Sequence, residues 1–223
     1  MVYEYLPFHR SPFDHSILSG TEGWLSSKEA DLLYRLARNC TGRGAIIEIG
    51  SWKGKSTTCL ALGSRDGAGK KVNAIDPHTG SSEHGKVDTF AEFRSNIERN
   101  GMTDMVSPIV KPSATVAREW SGPVELLWID GAHEEEFVRE DLLLWEPHLI
   151  EGGVVAFHDS TMPGPWKVIE EELYRGSKFH SIGFVHGITY ATKGKATPIR
   201  NRMMMLLRDL VYSLWKMKKS VGM

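Results

Sequence analysis

Ala45-Ile46-Ile47-Glu48-Ile49-Gly50-Ser51-Trp52-Lys53-Gly54-Lys55-Ser56-Thr57-Thr58-Cys59-Leu60-Ala61-Leu62 changes rhythm in its middle. The first five residues are a β-rich run that stops at Gly50, and a helical spacing takes over from Lys55, so the stretch predicts strand, tight glycine turn, helix. The alternation continues downstream. Further strands are expected at 72–75, 106–110, 124–129 and 153–157, with helices at 89–99, 113–119 and 135–145. Strands separated by helices imply βαβ units and a mainly parallel sheet. Segments 178–186 and 187–192 have little between them and read as an antiparallel hairpin closing one sheet edge. Upstream, residues 24–39 predict a helix with Ser26 or Ser27 as N-cap and Leu32, Leu33, Leu36 and Ala37 recurring on one face. Pro198 opens a last helix.

The whole chain of 223 residues is expected to be one α/β domain, with a helical cap over about 1–43 and an amphipathic helix over about 198–220. With 41% apolar and 25% charged residues it has the composition of a folded globular protein, and no apolar stretch approaches the roughly 20 residues of a membrane span. The 27 Lys+Arg against 28 Asp+Glu leave a net charge of -1, so no global field draws the chain to nucleic acid. Two cysteines, Cys40 and Cys59, and an N-terminus without a leader pattern point to a reducing cytoplasm.

In an open α/β sheet, ligands bind beyond the carboxyl ends of the strands. Here those ends are rich in chemistry. Gly50 and Gly54 permit close backbone approach, and the helix beginning near Ser56 offers free N–H groups. Asp76, 26 residues past Gly50, is placed to accept from two ribose hydroxyls. The fourth strand ends in Asp130 and the fifth in His158-Asp159. Carboxylates gathered on one rim repel unless a cation or ligand donors intervene.

A phosphate-binding P-loop, G-x-x-x-x-G-K-[ST], competes for the same stretch. Only three residues separate Gly50 from Gly54, and Glu48 and Asp76 would repel a triphosphate. A P-loop-like nucleotide enzyme therefore stands as the alternative, beside a non-catalytic carbohydrate-binding protein of the same fold.

Ile47-Glu48-Ile49-Gly50-Ser51-x-x-Gly54-x-Ser56-Thr57, Asp76, Trp128-Ile129-Asp130-Gly131-Ala132-His133, Asp141-Leu142-x-x-Trp145-x-Pro147-x-Leu149-x-x-Gly152-Gly153 and His158-Asp159 resemble the class I S-adenosylmethionine (SAM) methyltransferases. The resemblance is strongest to the metal-dependent O-methyltransferases of sugars, macrolides and polysaccharides and to the cephalosporin-hydroxylase-like group, over about residues 24–195. It implies a Rossmann-like fold with a seven-stranded, mainly parallel sheet. It implies that Gly50, Ser51, Gly54 and Ser56 flank the amino-acid tail of SAM, with Glu48 supporting that loop, Asp76 at the ribose and Ser113 with Ala114 at the adenine. It further implies a divalent metal, magnesium before manganese, on Asp130, His158 and Asp159, with Asp130 also at the cofactor. His133 occupies the position of the catalytic base, and an imidazole accepts a hydroxyl proton near neutral pH. The implied acceptor is a hydroxyl of a small molecule or glycan.

His78, His84, Tyr3, Phe8, His9, Phe13 and His15 are candidates to cover the site. The basic amphipathic segment 199–219 is open to three readings: packing on its own domain, pairing in a homodimer, or peripheral contact with a membrane.

Overall fold

In a computed structural model, which describes residues 11–81 and 85–220, a seven-stranded sheet carries helices on both faces. Its strands are β1 (Ala45–Ile49), β2 (Val72–Ile75), β3 (Val106–Ile109), β4 (Val124–Ile129), β5 (Leu149–Phe157), β6 (Phe179–Val185) and β7 (Ile188–Lys193), in the spatial order β3-β2-β1-β4-β5-β7-β6. The first five are parallel and β6–β7 form the expected antiparallel hairpin. β1, β2 and β4 read as near-continuous apolar runs because both faces are covered. β5 begins at Leu149, four residues before the expected start, and its register against β4 shifts between Leu149 and Val154.

The helices are α1 (Ser27–Arg38), α2 (Lys55–Arg65), α3 (Phe90–Arg99), α4 (Ser113–Glu119), α5 (Glu135–Trp145), α6 (Pro163–Val168), running on as a π-helix to Tyr174, and α7 (Pro198–Ser220). Ser26 caps α1 through a capping box with Glu29. Two cores result. Leu33, Tyr34, Leu60, Phe93 and Trp128 fill one side of the sheet, and Ile47, Leu127, Trp145, Phe157 and Tyr174 the other.

The backbone ladder runs past the strand ends: Gly50 N–H donates to Ile75 O, Asp76 N–H to Ile109 O, Asp130 N–H to Ile49 O and His158 N–H to Ile129 O. Gly50, Asp76, Asp130 and His158 thereby lie in one row. Strand order reverses between β1 and β4, the switch point where such sheets open a crevice.

Candidate active site

That crevice is a cavity of about 480 Å³, within the range of small-molecule sites. Gly50, Ser51, Asp76, Ser113, Asp130, His133, His158 and Asp159 all border it, with Trp24, Leu25 and Trp52 on the side of α1 and Phe137 on that of α5.

The glycines are required by the protein's own backbone before any ligand arrives. At Gly50, with φ +84°, a Cβ would sit 2.1 Å from Asp130 O. At Gly54, with φ +88°, it would press on Ile97 and Phe93 of α3, and Gly54 does not border the cavity. Their shared role is to turn the chain sharply enough that α2 starts beneath the crevice.

Glu48 is fully buried and accepts from Ser56 Oγ at 2.6 Å and Thr57 Oγ1 at 2.5 Å. Burial pushes its carboxyl up to about 8, against the pull of those two hydroxyls. Both hydroxyls that a P-loop would turn toward phosphate and metal are thus spent on β1, and Lys55 Nζ donates to Gly23 O at 2.9 Å. Ser51 borders the cavity with a buried Oγ that has no hydrogen-bond partner among the described residues, a polar atom suited to a ligand.

Asp76 Oδ2 accepts from the Ser51 and Trp52 N–H groups at 3.0 and 2.8 Å, and Oδ1 from His78 N–H at 2.6 Å. Ser113 Oγ accepts from Trp145 Nε1 at 2.8 Å. Burial raises the neighbouring Asp141 carboxyl to about 6, against its bond from Ser113.

At the far end of the row His158 Nδ1 lies 3.0 Å from both Asp130 Oδ1 and Asp159 Oδ2, and its Nε2 lies 3.8 Å from Glu29 Oε1. Burial by itself would depress this imidazole, but the two carboxylates outweigh it and hold it near 11. His158 is thus the side chain that lies between the two rim carboxylates. Asp130 is pushed up by burial, against His158. Asp159 is held well below the usual carboxylate range: burial opposes this, and the bonds to His133 and His158 overcome it. Asp159 also adopts a left-handed φ of +44°, which aims its carboxylate back into the row.

His133 Nε2 stands 3.1 Å from Asp159 Oδ2. Ligating atoms of Asp130, His133 and Asp159 lie within 4.8 Å of one another, close enough for one cation, and a set of two carboxylates and an imidazole suits a divalent ion. The resemblance takes its third ligand from His158; the spacing takes it from His133.

Several expected cover residues lie elsewhere. His78 is buried between Phe90 and Phe93 with Nδ1 2.8 Å from Thr89 Oγ1, so it packs α3. Phe13 stacks on Tyr34, and His15 bonds Asp31 at 2.7 Å, away from the cavity. Tyr3, Phe8, His9 and His84 lie outside the described residues. Glu29, Trp24 and Trp52 were not legible as site residues. The Ser26-x-x-Glu29 spacing announces a helix cap, but Trp24 and Trp52 carry no sequence signal of their own.

Residues 47–160, just over half of the chain, match a family model described as a methyltransferase domain. Among solved structures the fold is similar to that of CalS11, a TDP-rhamnose 3'-O-methyltransferase of calicheamicin biosynthesis (17% identity, 74% of this chain and 78% of that one, TM-score 0.57). It is also similar to the O-methyltransferase TomG from Streptomyces achromogenes, involved in tomaymycin synthesis and solved with SAM (19%, 76% and 81%, TM-score 0.57). A third is an O-methyltransferase from Bacillus cereus solved with SAH (18%, 82% and 92%, TM-score 0.58).

Proposed function

Because the chain belongs to the methyltransferase-domain family, we propose that it transfers a methyl group from SAM to a hydroxyl of a sugar, polysaccharide or other small natural product, assisted by a divalent cation. The observation that carries this reading is the row Gly50, Asp76, Asp130 and His158 along one cavity with Asp159 and His133 at its acidic end. Bound SAM supplies a methyl on a positive sulfonium, to be taken in line by an oxygen nucleophile.

Ser51 Oγ and the Gly50 backbone receive the amino-acid tail. Asp76 Oδ1, which accepts one N–H, retains acceptor capacity for a ribose hydroxyl. Pro112 and Ser113 wall the adenine side, with Ser113 contributing backbone because its hydroxyl is engaged. The carboxylates near Asp130 favour the sulfonium's charge. Trp24 and Trp52, with ring centroids 5.9 Å apart, and Phe137 offer apolar faces to an acceptor ring beside His133.

Asp130 and Asp159 would hold the cation, which when bound acidifies and orients an acceptor hydroxyl. Two divisions of labour share that pair. In one His158 is the third ligand and His133 the base: Asp159 accepts from His133 Nε2–H, leaving Nδ1 as the proton-accepting nitrogen. In the other His133 completes the cation site, favoured by the close grouping of its ligand atom with both carboxylates, while His158 stays within hydrogen-bond reach of both and positions them.

A thermal-shift series with SAM, its demethylated product and ATP tests the donor: SAM and the product are expected to stabilise the chain, and stabilisation by ATP alone would overturn the proposal. Manganese titration of His133→Ala and His158→Gln separates the two divisions. Retained binding with turnover lost in His133→Ala marks a base, whereas lost binding marks a ligand.

A further inference from the structure

Ser160 follows Asp159 directly, is fully buried, and is held at each of its polar groups. Its N–H donates to Gly187 O at 2.8 Å, its Oγ accepts from Thr189 Oγ1 at 3.0 Å, and its carbonyl accepts from Arg208 Nη2 at 2.5 Å. Gly187 and Thr189 belong to the β6–β7 hairpin and Arg208 to α7. On the other side of Asp159, His158 N–H is tied to Ile129 O at 3.0 Å. Asp159 therefore sits between two pinned neighbours. Its φ of +44° is one that a residue with a side chain keeps only where the surroundings over-determine it.

We propose that Arg208 is a positioning residue: acting through Ser160, it fixes the Asp159 carboxylate against His133 and His158 and so sets the geometry of the acidic end of the cavity. The inference rests on the proposed role of Asp159 as a holder of the cation. Arg208 is buried, with its guanidinium 3.7 Å from the Trp166 ring and 4.6 Å from that of Tyr212. Burying a guanidinium forfeits hydration, a cost that an apolar side chain in this place would not carry. What an apolar side chain cannot supply is the donor to Ser160 O. A planar fork held against two rings has few other orientations, so that donor stays in one place. The family match stops at Ser160, and all three partners of that residue lie beyond it. α7 thus takes part in the site although Arg208 does not border the cavity.

The test compares Arg208→Met, which keeps the bulk and removes the donors, with Arg208→Lys, which keeps one donor group, and with Asn201→Ala. The last takes two hydrogen bonds from the same helix without touching Ser160. A crystal structure of Arg208→Met is expected to show Asp159 out of its left-handed conformation, with its carboxylate beyond hydrogen-bond distance of His133. Manganese binding, followed by electron paramagnetic resonance, should weaken at least about tenfold in Arg208→Met and about threefold in Arg208→Lys, and stay at the wild-type value in Asn201→Ala. Stabilisation by SAM, which reads the Gly50–Asp76 end, should be unchanged in all three and shows that they are folded. An unmoved Asp159 in Arg208→Met overturns the proposal, as does an equal loss of manganese binding in Arg208→Met and Asn201→Ala, the mark of a merely structural role. If Arg208→Met does not fold, Arg208→Lys decides, and manganese binding equal to wild type overturns the proposal. A wild-type chain that binds no manganese would refute the cation reading instead, and the position of Asp159 in the variant crystals would then judge Arg208 alone.

Discussion

Gly50 is held by two independent constraints, a left-handed φ and a backbone contact with Asp130 that leaves no room for a methyl group. Gly50→Ala must therefore strain its own backbone and displace the end of β4. We expect a loss of about 2 kcal/mol or more in urea unfolding together with weaker stabilisation by SAM; a cost under about 1 kcal/mol would mean the strand ends tolerate separation. Glu48 makes a pH-dependent contribution. Its folded carboxyl is raised from the ordinary 4.5 to about 8 by burial, so the folded chain binds this proton more tightly than the unfolded one. The stability it contributes is complete below about pH 4.5, falls as pH rises, and levels off above about pH 8. Glu48→Gln removes that titration. Its unfolding free energy should gain on wild type across this window, with a slope of up to about 1.4 kcal/mol per pH unit, and parallel pH profiles of the two proteins would refute the assignment.

At the scale of elements, α1 is tied to the β6–β7 hairpin through one carboxylate. Glu29 Oε2 accepts from Ser26 N–H and Oγ–H at 2.8 and 2.7 Å, and Oε1 from Gly187 N–H at 2.7 Å. Both oxygens are acceptors, so Glu29→Gln must aim an amide NH₂ at a backbone N–H whichever way it turns. The expected cost is about 1–3 kcal/mol by chemical denaturation; a variant as stable as wild type would show that the cap and the turn are held by other contacts. The same tie places Glu29 beside His158 Nε2, coupling the N-terminal helix to the acidic end of the cavity.

For the molecule as a whole, α7 belongs to the fold and is more than an appended tail. Asn201, buried, donates to two carbonyls, Leu173 O near the end of the π-helix and Phe179 O at the start of β6. Asn201→Ala should lower stability by about 2 kcal/mol or more, read as a shift in the urea midpoint at unchanged slope. A surface-like change of a few tenths of a kcal/mol would place the first turn of α7 outside the cooperative unit. Removing residues 198–223 would therefore uncover part of the second core, against which Met204 and Met205 pack.

The alternation of apolar runs with helical spacing was enough to give the parallel sheet, the closing hairpin and the row of strand-end residues, because burial on both faces and period 3.6 leave a local mark in the chain. Gly50, Asp76, Asp130 and Asp159 could be singled out for the same reason: each directly follows or closely flanks a strand end. The path from Ser160 to Ser177 carried no such mark, since a short helix running into a π-turn has no single period. Nor could spacing say which histidine stands where. That His158 bridges Asp130 and Asp159, that Glu29 reaches across from α1, and that Ser56 and Thr57 serve Glu48 are contacts between segments distant in sequence or turned by one positive φ. Only the packed chain decides them, because the charge state of a buried group depends on what surrounds it in space.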